Sequence, residues 1–213
     1  MIAAMSSDTL VVRRAEFSID DPWITPPHCE QIRLRRATDG SAPRLTTMVA
    51  AYYDDAHLTI VFSAADDHIV ATHLVHDAPL YEEDVVEVFL APEVLTVYFE
   101  IEANPLGTIF DARIASPDGV RATMQTDLAW NAEAMVAIRK TFETGGRMSV
   151  DTVLRIPFAS LSVKTPRAGE SWRANFFRVD RHPLGSEFSA WQPAMKTPAD
   201  FHVTSAFGVL VFE

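Results

Sequence analysis

Apolar and polar residues alternate along most of the chain, and a period of two predicts β-strands rather than helices. Turn-forming pairs separate the apolar runs, and Asp54-Asp55 and Gly145-Gly146 both suit hairpins. Residues 157–162 are typical of a single helical turn. The pattern predicts strands near residues 30–37, 45–53, 57–64, 84–90, 94–103, 108–114, 135–142, 148–156, 172–180, 187–191 and 208–212.

The turn chemistry also indicates how two of these strands are connected. The segment Asn104-Pro105-Leu106-Gly107 has the preferences of a type I turn and should close a hairpin between strands 94–103 and 108–114. Many short strands with turns at this spacing favour an antiparallel architecture, and no repeat or linker divides the chain. We therefore predict one all-β domain over residues 1–213. It should be an antiparallel β-sandwich, immunoglobulin-like or jelly-roll-like, with residues 1–15 as a candidate flexible N-terminal segment.

Composition narrows the classes of partner. Of 213 residues, 48% are hydrophobic and 22% are charged, so the chain can bury a core. The formal net charge is −11, which disfavours a nucleic-acid partner. No apolar run approaches the roughly 20 residues of a membrane helix, and the start lacks the features of a secretory signal. A membrane partner is not expected, the sequence as written suggests a cytoplasmic protein, and Cys29, the single cysteine, excludes an internal disulfide.

Strand alternation places several polar side chains on sheet faces, and this pattern has two interpretations. An antiparallel sheet commonly has one solvated face, so these residues could simply be exposed to solvent. Alternatively they form a concave polar face that recognises a hydroxyl-rich ligand, with Tyr81 as an aromatic plane beside it. The residues are Glu87 on strand 84–90, Glu100 and Glu102 on strand 94–103, and Arg173 and Asn175 on strand 172–180.

Metal and catalytic motifs are weak. The segment His73-Leu74-Val75-His76-Asp77 has metal-ligand spacing, and Glu82-Glu83-Asp84 offers hard oxygens, but solvated loops explain both more simply. Glu87 with Glu100 or Glu102 could form the carboxylate pair of a glycosidase. No nucleophile elbow, P-loop or zinc-protease motif is present. We therefore predict a protein that is not an enzyme.

A set of motifs in the same order along the chain resembles family 9 carbohydrate-binding modules and the broader DOMON-like group. The stretch from Tyr81 to Leu90, with Asp84 and the run Val86-Glu87-Val88-Phe89, is similar to the (W/Y)-x-x-D-x-V-E-V-F-(L/I) strand of that family. Further matches to the single-domain subgroup are the hairpin from Tyr98 to Gly107, Ile156-Pro157-Phe158, the strand from Arg173 to Arg178, Trp191-Gln192-Pro193, Phe201-His202 and Phe207-Gly208.

The resemblance implies a β-sandwich that binds sugars. In these modules two aromatic rings clamp a terminal sugar, and the matching positions here are Tyr81 and Phe201. The glutamate that bonds sugar hydroxyls matches Glu87. Where the modules carry an arginine this chain has Glu100, and their amide ligand falls near Pro198, so Arg173 and Asn175 are predicted as replacement donors. Family members hold structural calcium, which makes calcium the one ion that the resemblance suggests, although none is required.

We therefore expect a non-catalytic carbohydrate-binding domain linked to carbohydrate catabolism, with a saccharide as its partner. Three alternatives stay open at this point. The polar face could belong to an interaction or structural domain without a sugar site. The carboxylates could belong to a glycoside hydrolase. The DOMON-like likeness also admits a haem-binding domain, which would need an axial Met or His pair. The family is often exported, which leaves the compartment open.

Overall fold

The computed structural model describes residues 8–143 and 145–213, and in them the chain is built from strands. The strands are β1 Thr9–Arg14, β2 Gln31–Arg33, β3 Arg35–Arg36, β4 Thr47–Tyr53, β5 His57–Asp66, β6 Val85–Ala91, β7 Val97–Ala103, β8 Ile109–Ala115, β9 Gln125–Asp127, β10 Met135–Phe142, β11 Met148–Pro157, β12 Ser171–Asp180, β13 Glu187–Ala190 and β14 Gly208–Phe212. Short 3-10 turns cover Leu80–Glu82, Arg121–Thr123 and Thr204–Ala206. Among these residues no helix has the length and hydropathy needed to cross a membrane.

The strands form two packed layers. The layer that we call the site sheet has the order β14-β12-β6-β7-β8-β9, with β13 beside β12 and β3 beside β13. The back sheet has the order β10-β11-β5-β4, with β2 beside β4. Strand β1 joins the layers, because its first four residues pair in parallel with β14 and its last two with β4. The other strand pairs are antiparallel, as the sequence predicts.

The main core lies between the two sheets. Val88, Leu90 and Phe176 of the site sheet and Ile60 and Phe62 of the back sheet are all fully buried within it. Alternation explains this, since every second residue of a strand points to the same face. The rings of Phe62 and Phe176 meet edge to face across the layers with centroids 6.2 Å apart. Burial of such side chains provides most of the stabilisation of a sandwich.

Every predicted strand region contains a strand, and the fold prediction is confirmed. The Asn104–Gly107 turn joins β7 to β8, and the Gly107 amide donates to the Asn104 carbonyl at 2.9 Å. Two local predictions differ. Residues 30–37 form two short strands instead of one, because the chain passes at Leu34 from the back sheet, where β2 pairs with β4, to the site sheet, where β3 pairs with β13. Residues 158–162 form successive turns rather than helix.

The N-terminal prediction is also wrong for the residues that are described. Residues 1–7 lie outside the described part, but residues 9–14 are strand β1 rather than a flexible segment. Leu10 and Val12 are fully buried in the main core. The difference arises because β1 pairs in parallel with β14, the last strand of the chain. Pairing between residues so far apart in sequence cannot be predicted from the residues around β1.

Gly208 has no side chain, and this allows the Trp191 ring and the backbone just before β1 to pack directly against it. A Cβ atom there would lie 2.6 Å from Trp191 Cη2 and 2.8 Å from the Asp8 carbonyl oxygen. Trp191 is fully buried and the second atom is backbone, so neither can retreat easily. We predict that Gly208→Ala destabilises the domain by about 1–3 kcal/mol or more, measured by urea unfolding. Ser205→Ala, at a nearby exposed position, is the control and should stay within about 0.5 kcal/mol of the native chain.

Candidate functional site

The outer face of the site sheet is not a wet surface. A second apolar cluster covers it, in which Phe89, Tyr98 and Phe177 of the strands pack against Leu80 and Phe207 of the connecting segments. The acidic residues of this face are buried as well, with Glu87 at 2%, Glu100 at 6% and Glu102 at 0% exposure. The interpretation of these carboxylates as a solvated face is therefore wrong.

A cavity of about 490 Å³ opens over this face. Its apolar wall combines aromatic rings with the side chains of Met124, Leu128, Val179 and Ala199, and its polar groups come from strands, turns and loops that are far apart in sequence. A volume of this size is typical of small-molecule sites. The aromatic residues of the wall are Tyr81, Phe110, Phe188 and Phe201, and the principal polar residues are Glu87, Glu100, Arg121, Arg181 and His202.

Tyr81 and Phe201, the two predicted clamp residues, both line the cavity. Tyr81 lies on the 3-10 turn Leu80–Glu82, is 48% exposed, and meets Phe110 edge to face at 6.0 Å between ring centroids. The Phe201 ring stacks on Phe177 of β12 with centroids 4.2 Å apart and planes 15° apart. One face of Phe201 is thus held by the sheet, which fixes the orientation of the ring.

Three carboxyl groups meet at the base of the cavity. Strand pairing places Glu87 of β6 directly opposite Glu102 of β7. Glu100 precedes Glu102 by two residues on β7 and therefore points to the same face. One carboxylate oxygen from each residue lies within 4.8 Å of the others. We call Glu87, Glu100 and Glu102 the carboxylate cluster. Glu87 and Glu100 line the cavity, whereas Glu102 is fully buried and is not part of the lining.

The environment of the cluster disfavours negative charge. Burial raises the pKa of Glu100 to about 7. Burial, followed by the charge of Glu100, raises the pKa of Glu87 well above its usual range. Burial, followed by the charges of Glu87 and Glu100, does the same to the pKa of Glu102. Desolvation and like charges thus act together, and both favour the neutral carboxyl.

Two arginines line the cavity, but other groups already bind them. Arg181 Nη2 donates to the Tyr81 carbonyl at 2.6 Å, and its guanidinium lies 5.1 Å from the centroid of the Phe188 ring. Arg121 forms an ion pair with Asp200 at 3.2 Å. The charge of Arg181 lowers the pKa of Glu87 and that of Arg121 lowers the pKa of Glu100, but both effects are smaller than the rise caused by burial. The cavity therefore holds carboxyl acceptors and guanidinium donors side by side.

His202 adds a neutral polar group. Its Nδ1 lies 2.7 Å from the hydroxyl oxygen of Tyr98, and its ring packs 5.2 Å from the Phe89 ring between centroids. Burial lowers the pKa of His202 to about 4. The imidazole is therefore neutral at physiological pH and can offer one donor and one acceptor.

The structure does not bring Arg173 and Asn175 to the cavity, and their prediction as sugar donors is wrong. Both lie on the predicted face of β12, but backbone groups use their side chains. Arg173 donates to the carbonyls of Phe207 and Gly208. Asn175 Nδ2 donates to the Gln192 carbonyl at 2.8 Å, and its Oδ1 accepts from the Gln192 and Phe176 amides. Both side chains fix the chain segments that cover the sheet.

The predicted acidic run Glu82-Glu83-Asp84 does not form one ligand set. Glu83 accepts from the Thr72 side chain and the Thr72 and His73 amides. Asp84 is buried and accepts from the amides of Val70 and Arg181. Glu83 and Asp84 therefore both anchor the segment 70–73, and Asp84 also holds the backbone that follows β12.

Two other groups of side chains have spacing that would suit a metal ion. His76, Asp77 and Asp111 converge on one side of the site sheet, and the buried Asp111 Oδ1 has no hydrogen-bond partner. Within the predicted histidine motif, only His76 and Asp77 belong to this group. A second group, Asp66, Asp84 and Asp180, is buried against the Arg178 guanidinium, which already supplies positive charge. Calcium takes oxygen ligands, so the histidine of the first group and the guanidinium beside the second both count against it.

Sequence reasoning missed Arg121, Arg181, Phe110 and Phe188 as cavity residues. Arg181 directly follows β12, and strand alternation does not predict the direction of a side chain in the loop after a strand. Arg121 comes from a 3-10 turn between β8 and β9 and meets Asp200 near the other end of the chain. Phe110 could have been found, since it sits opposite Glu102 in the β7–β8 ladder.

Comparisons with known proteins agree with this architecture. The model of carbohydrate-binding family 9 matches residues 33–212, which is most of the chain. No curated protein matches the sequence. The family match includes every residue of the cavity described above.

Solved structures share the fold at low sequence identity. A Bacteroides uniformis protein of proposed carbohydrate-binding function has 18% identity and a TM-score of 0.73, covering 96% of this chain and 99% of its own. A family 9 carbohydrate-binding module from Caldicellulosiruptor kristjanssonii in complex with glucose has 13% identity and a TM-score of 0.64, covering 96% and 95%. The cellotriose complex has 14% identity and a TM-score of 0.59, covering 96% and 93%. These likenesses confirm the β-sandwich.

Proposed function

The chain belongs to carbohydrate-binding family 9, and from this premise we propose that the cavity over the site sheet binds the end of a saccharide. The observation that supports this most directly is the combination of aromatic faces with polar groups at one opening. Tyr81 and Phe201 provide rings, while Glu87, Glu100 and Arg181 provide acceptors and donors. Sugars need both, because their C–H faces pack on rings and their hydroxyls donate and accept.

The geometry suggests how a ring would lie. Phe201 is stacked on Phe177, so only its outer face is free to pack on a sugar. Tyr81, half exposed on its 3-10 turn, provides the second apolar surface. Hydroxyls at the inner end of the sugar would meet Glu87 and Glu100. Since few groups are involved, we expect dissociation constants of about micromolar to millimolar.

We also propose that the domain binds without catalysis. Glycoside hydrolysis requires one ionised carboxylate beside one protonated carboxyl. Burial raises the pKa of Glu87, Glu100 and Glu102 alike, so the environment does not stabilise any of the three as an anion. Release of a chromogenic leaving group from aryl glycosides, abolished in Glu87→Gln, would contradict this part of the proposal.

Calorimetric titration tests the binding proposal. The ligands are glucose and cellotriose, which two structural neighbours hold, together with xylose and xylotriose, each with and without calcium. We predict saturable heat for at least one sugar. Tyr81→Ala and Phe201→Ala should each weaken binding about fivefold, because each removes an aromatic contact of about 1 kcal/mol.

Phe142→Ala is the matched control for these variants. Phe142 is 77% exposed at the end of β10 in the back sheet, away from the cavity. Its removal should leave the dissociation constant unchanged. Unchanged binding in a folded Tyr81→Ala variant would overturn the clamp. No heat with any sugar would favour the alternative of an interaction domain without a sugar site.

A further inference from the structure

Glu102 is the buried group that the proposed sugar contacts leave without a role. Its side chain is fully buried, and neither of its carboxylate oxygens has a hydrogen-bond partner among the residues that the structure describes. An unpaired buried carboxylate is costly, so such a group is normally neutralised or paired. Glu102 lies directly opposite Glu87 in the β6–β7 ladder and is the third member of the carboxylate cluster.

Nearby positive charges do not reach Glu102. Arg181 donates to the Tyr81 carbonyl and Arg121 pairs with Asp200, and in the described part of the chain neither forms an ion pair with the cluster. One carboxylate oxygen of Glu100 lies within 4.8 Å of one oxygen of Glu102, so that negative charge on both would be unfavourable at this buried position. In the free protein, protons therefore balance the cluster. A ligand that brings one positive charge would replace one of these protons, and the other two carboxyls would stay neutral and accept hydrogen bonds through their carbonyl oxygens.

The spacing of the cluster fits a primary ammonium group. One oxygen from each carboxyl lies within 4.8 Å of the others, and charge-assisted N–H···O bonds are about 2.7–2.9 Å long. A single nitrogen can therefore contact all three oxygens. An ammonium group has three N–H donors and no acceptor, so its donors match three carboxyls one to one.

The surroundings favour an ammonium group over a metal ion. In the strand ladders Phe110 sits opposite Glu102, Phe177 opposite Glu87 and Phe89 opposite Glu100. Aromatic faces attract organic cations, but they coordinate no metal. Calcium takes six to eight oxygens, and magnesium retains several waters. The aromatic rings beside the cluster leave less polar surface for either ion.

We infer that the carboxylate cluster is a subsite for the protonated amine of an amino sugar, so that the cavity prefers a cationic amino sugar to its neutral hydroxyl analogue. This inference rests on the proposed function, because it places the same sugar ring between Tyr81 and Phe201. It adds the class of ligand, which is a saccharide with a primary amine at its inner end.

Calorimetry with matched sugars at pH 7 tests the inference. Glucosamine, glucose and N-acetylglucosamine differ only in the group at one ring position, which is an amine, a hydroxyl or a neutral amide. We expect glucosamine to bind the intact protein at least tenfold more tightly than either neutral sugar. In Glu102→Gln, which keeps the side-chain volume, the ratio of the glucose and glucosamine dissociation constants should fall to within threefold of one.

Controls and outcomes separate this inference from the proposed function. Glu93→Gln removes an exposed charge outside the cavity lining and should keep the full preference. Thermal unfolding by circular dichroism establishes that each variant is folded, and Glu100→Gln provides a second test of the cluster. Glucose binding without preference for glucosamine would overturn the inference and leave the proposed function intact. Silence toward all three sugars would overturn the inference, and silence toward cellotriose, xylose and xylotriose as well would overturn the proposed function. Saturable calcium binding lost in Glu102→Gln would assign the cluster to a metal and overturn the inference.

Discussion

Replacing Glu100 with glutamine should stabilise the free protein, and the gain should grow with pH. Burial raises the pKa of Glu100 from 4.5 to about 7, so the folded state holds a proton that the unfolded state has released. The free energy of unfolding contributed by this group therefore falls as pH rises from about 4.5 to about 7. Glutamine cannot ionise, so the variant does not lose this stability. Its free energy of unfolding should therefore exceed that of the native chain by about 3 kcal/mol at pH 8.

Other groups make the native profile a poor test when it is measured alone. Burial lowers the pKa of His202 to about 4, so the unfolded state binds more protons between about pH 4 and 6.5 and stability rises across that window. Burial raises the pKa of Asp84 to about 6, which acts in the opposite direction. Both contributions cancel in the difference between Glu100→Gln and the native chain. That difference should be near zero at pH 4 and rise toward pH 8.

Urea unfolding at pH 4, 6 and 8 with linear extrapolation measures the difference. Glu93→Gln removes a glutamate from an exposed position and should show a flat difference across the three values. A Glu100→Gln variant that is less stable than the native chain at pH 8 would contradict the assignment of the carboxylate cluster as an electrostatic cost.

Arg178→Met should destabilise the domain by about 3–5 kcal/mol, the cost of breaking a buried ion pair from one side. The Arg178 guanidinium is 4% exposed and donates to Asp66 Oδ2 and the Ala65 carbonyl, both at 2.7 Å. Asp66 belongs to a buried group with Asp84 and Asp180. Without Arg178, Asp66 loses its ion-pair partner. Of the three carboxylates in this group, Arg44 contacts Asp180, at 3.0 Å, and so does not compensate for the loss at Asp66.

A double-mutant cycle distinguishes this electrostatic effect from lost packing. Adding Asp66→Asn to Arg178→Met removes the stranded charge, so the double variant should be more stable than the sum of the single changes by at least about 1 kcal/mol. Arg14→Met is the surface control, because its ion pair with Asp55 is exposed and should contribute less than about 1 kcal/mol. Additive single effects would contradict the proposed coupling.

Strand alternation predicted the fold because it is a local property of the sequence. The faces of β6 and β7 came out as expected, with Glu87, Glu100 and Glu102 on one side and the apolar residues of the main core on the other. Alternation does not show what covers a face. The segments that bury this one, near Arg121 and Phe201, are distant in sequence and are held by contacts such as the Arg121–Asp200 ion pair.

The same limit explains the errors at Arg173 and Asn175. Each was predicted on the correct face of β12, but their hydrogen-bond partners lie in the backbone of Phe207, Gly208 and Gln192. Those carbonyls are 17 to 35 residues away in sequence. Tyr81, Phe201 and Glu87, which came from the family resemblance, do meet at one cavity. The motif encodes their common position, which alternation alone could not provide.

We expect the sugar to bind in the cavity over the site sheet. Backbone amide chemical shifts in a ¹⁵N-labelled protein, followed during titration with the tightest-binding sugar of the calorimetric panel, test it most directly. We predict saturable shifts at Tyr81, Glu87, Glu100 and the segment around Phe201, with the β10–β11 hairpin unchanged. Saturable shifts confined to the back sheet, or a spectrum that does not change at saturating sugar, would contradict the account.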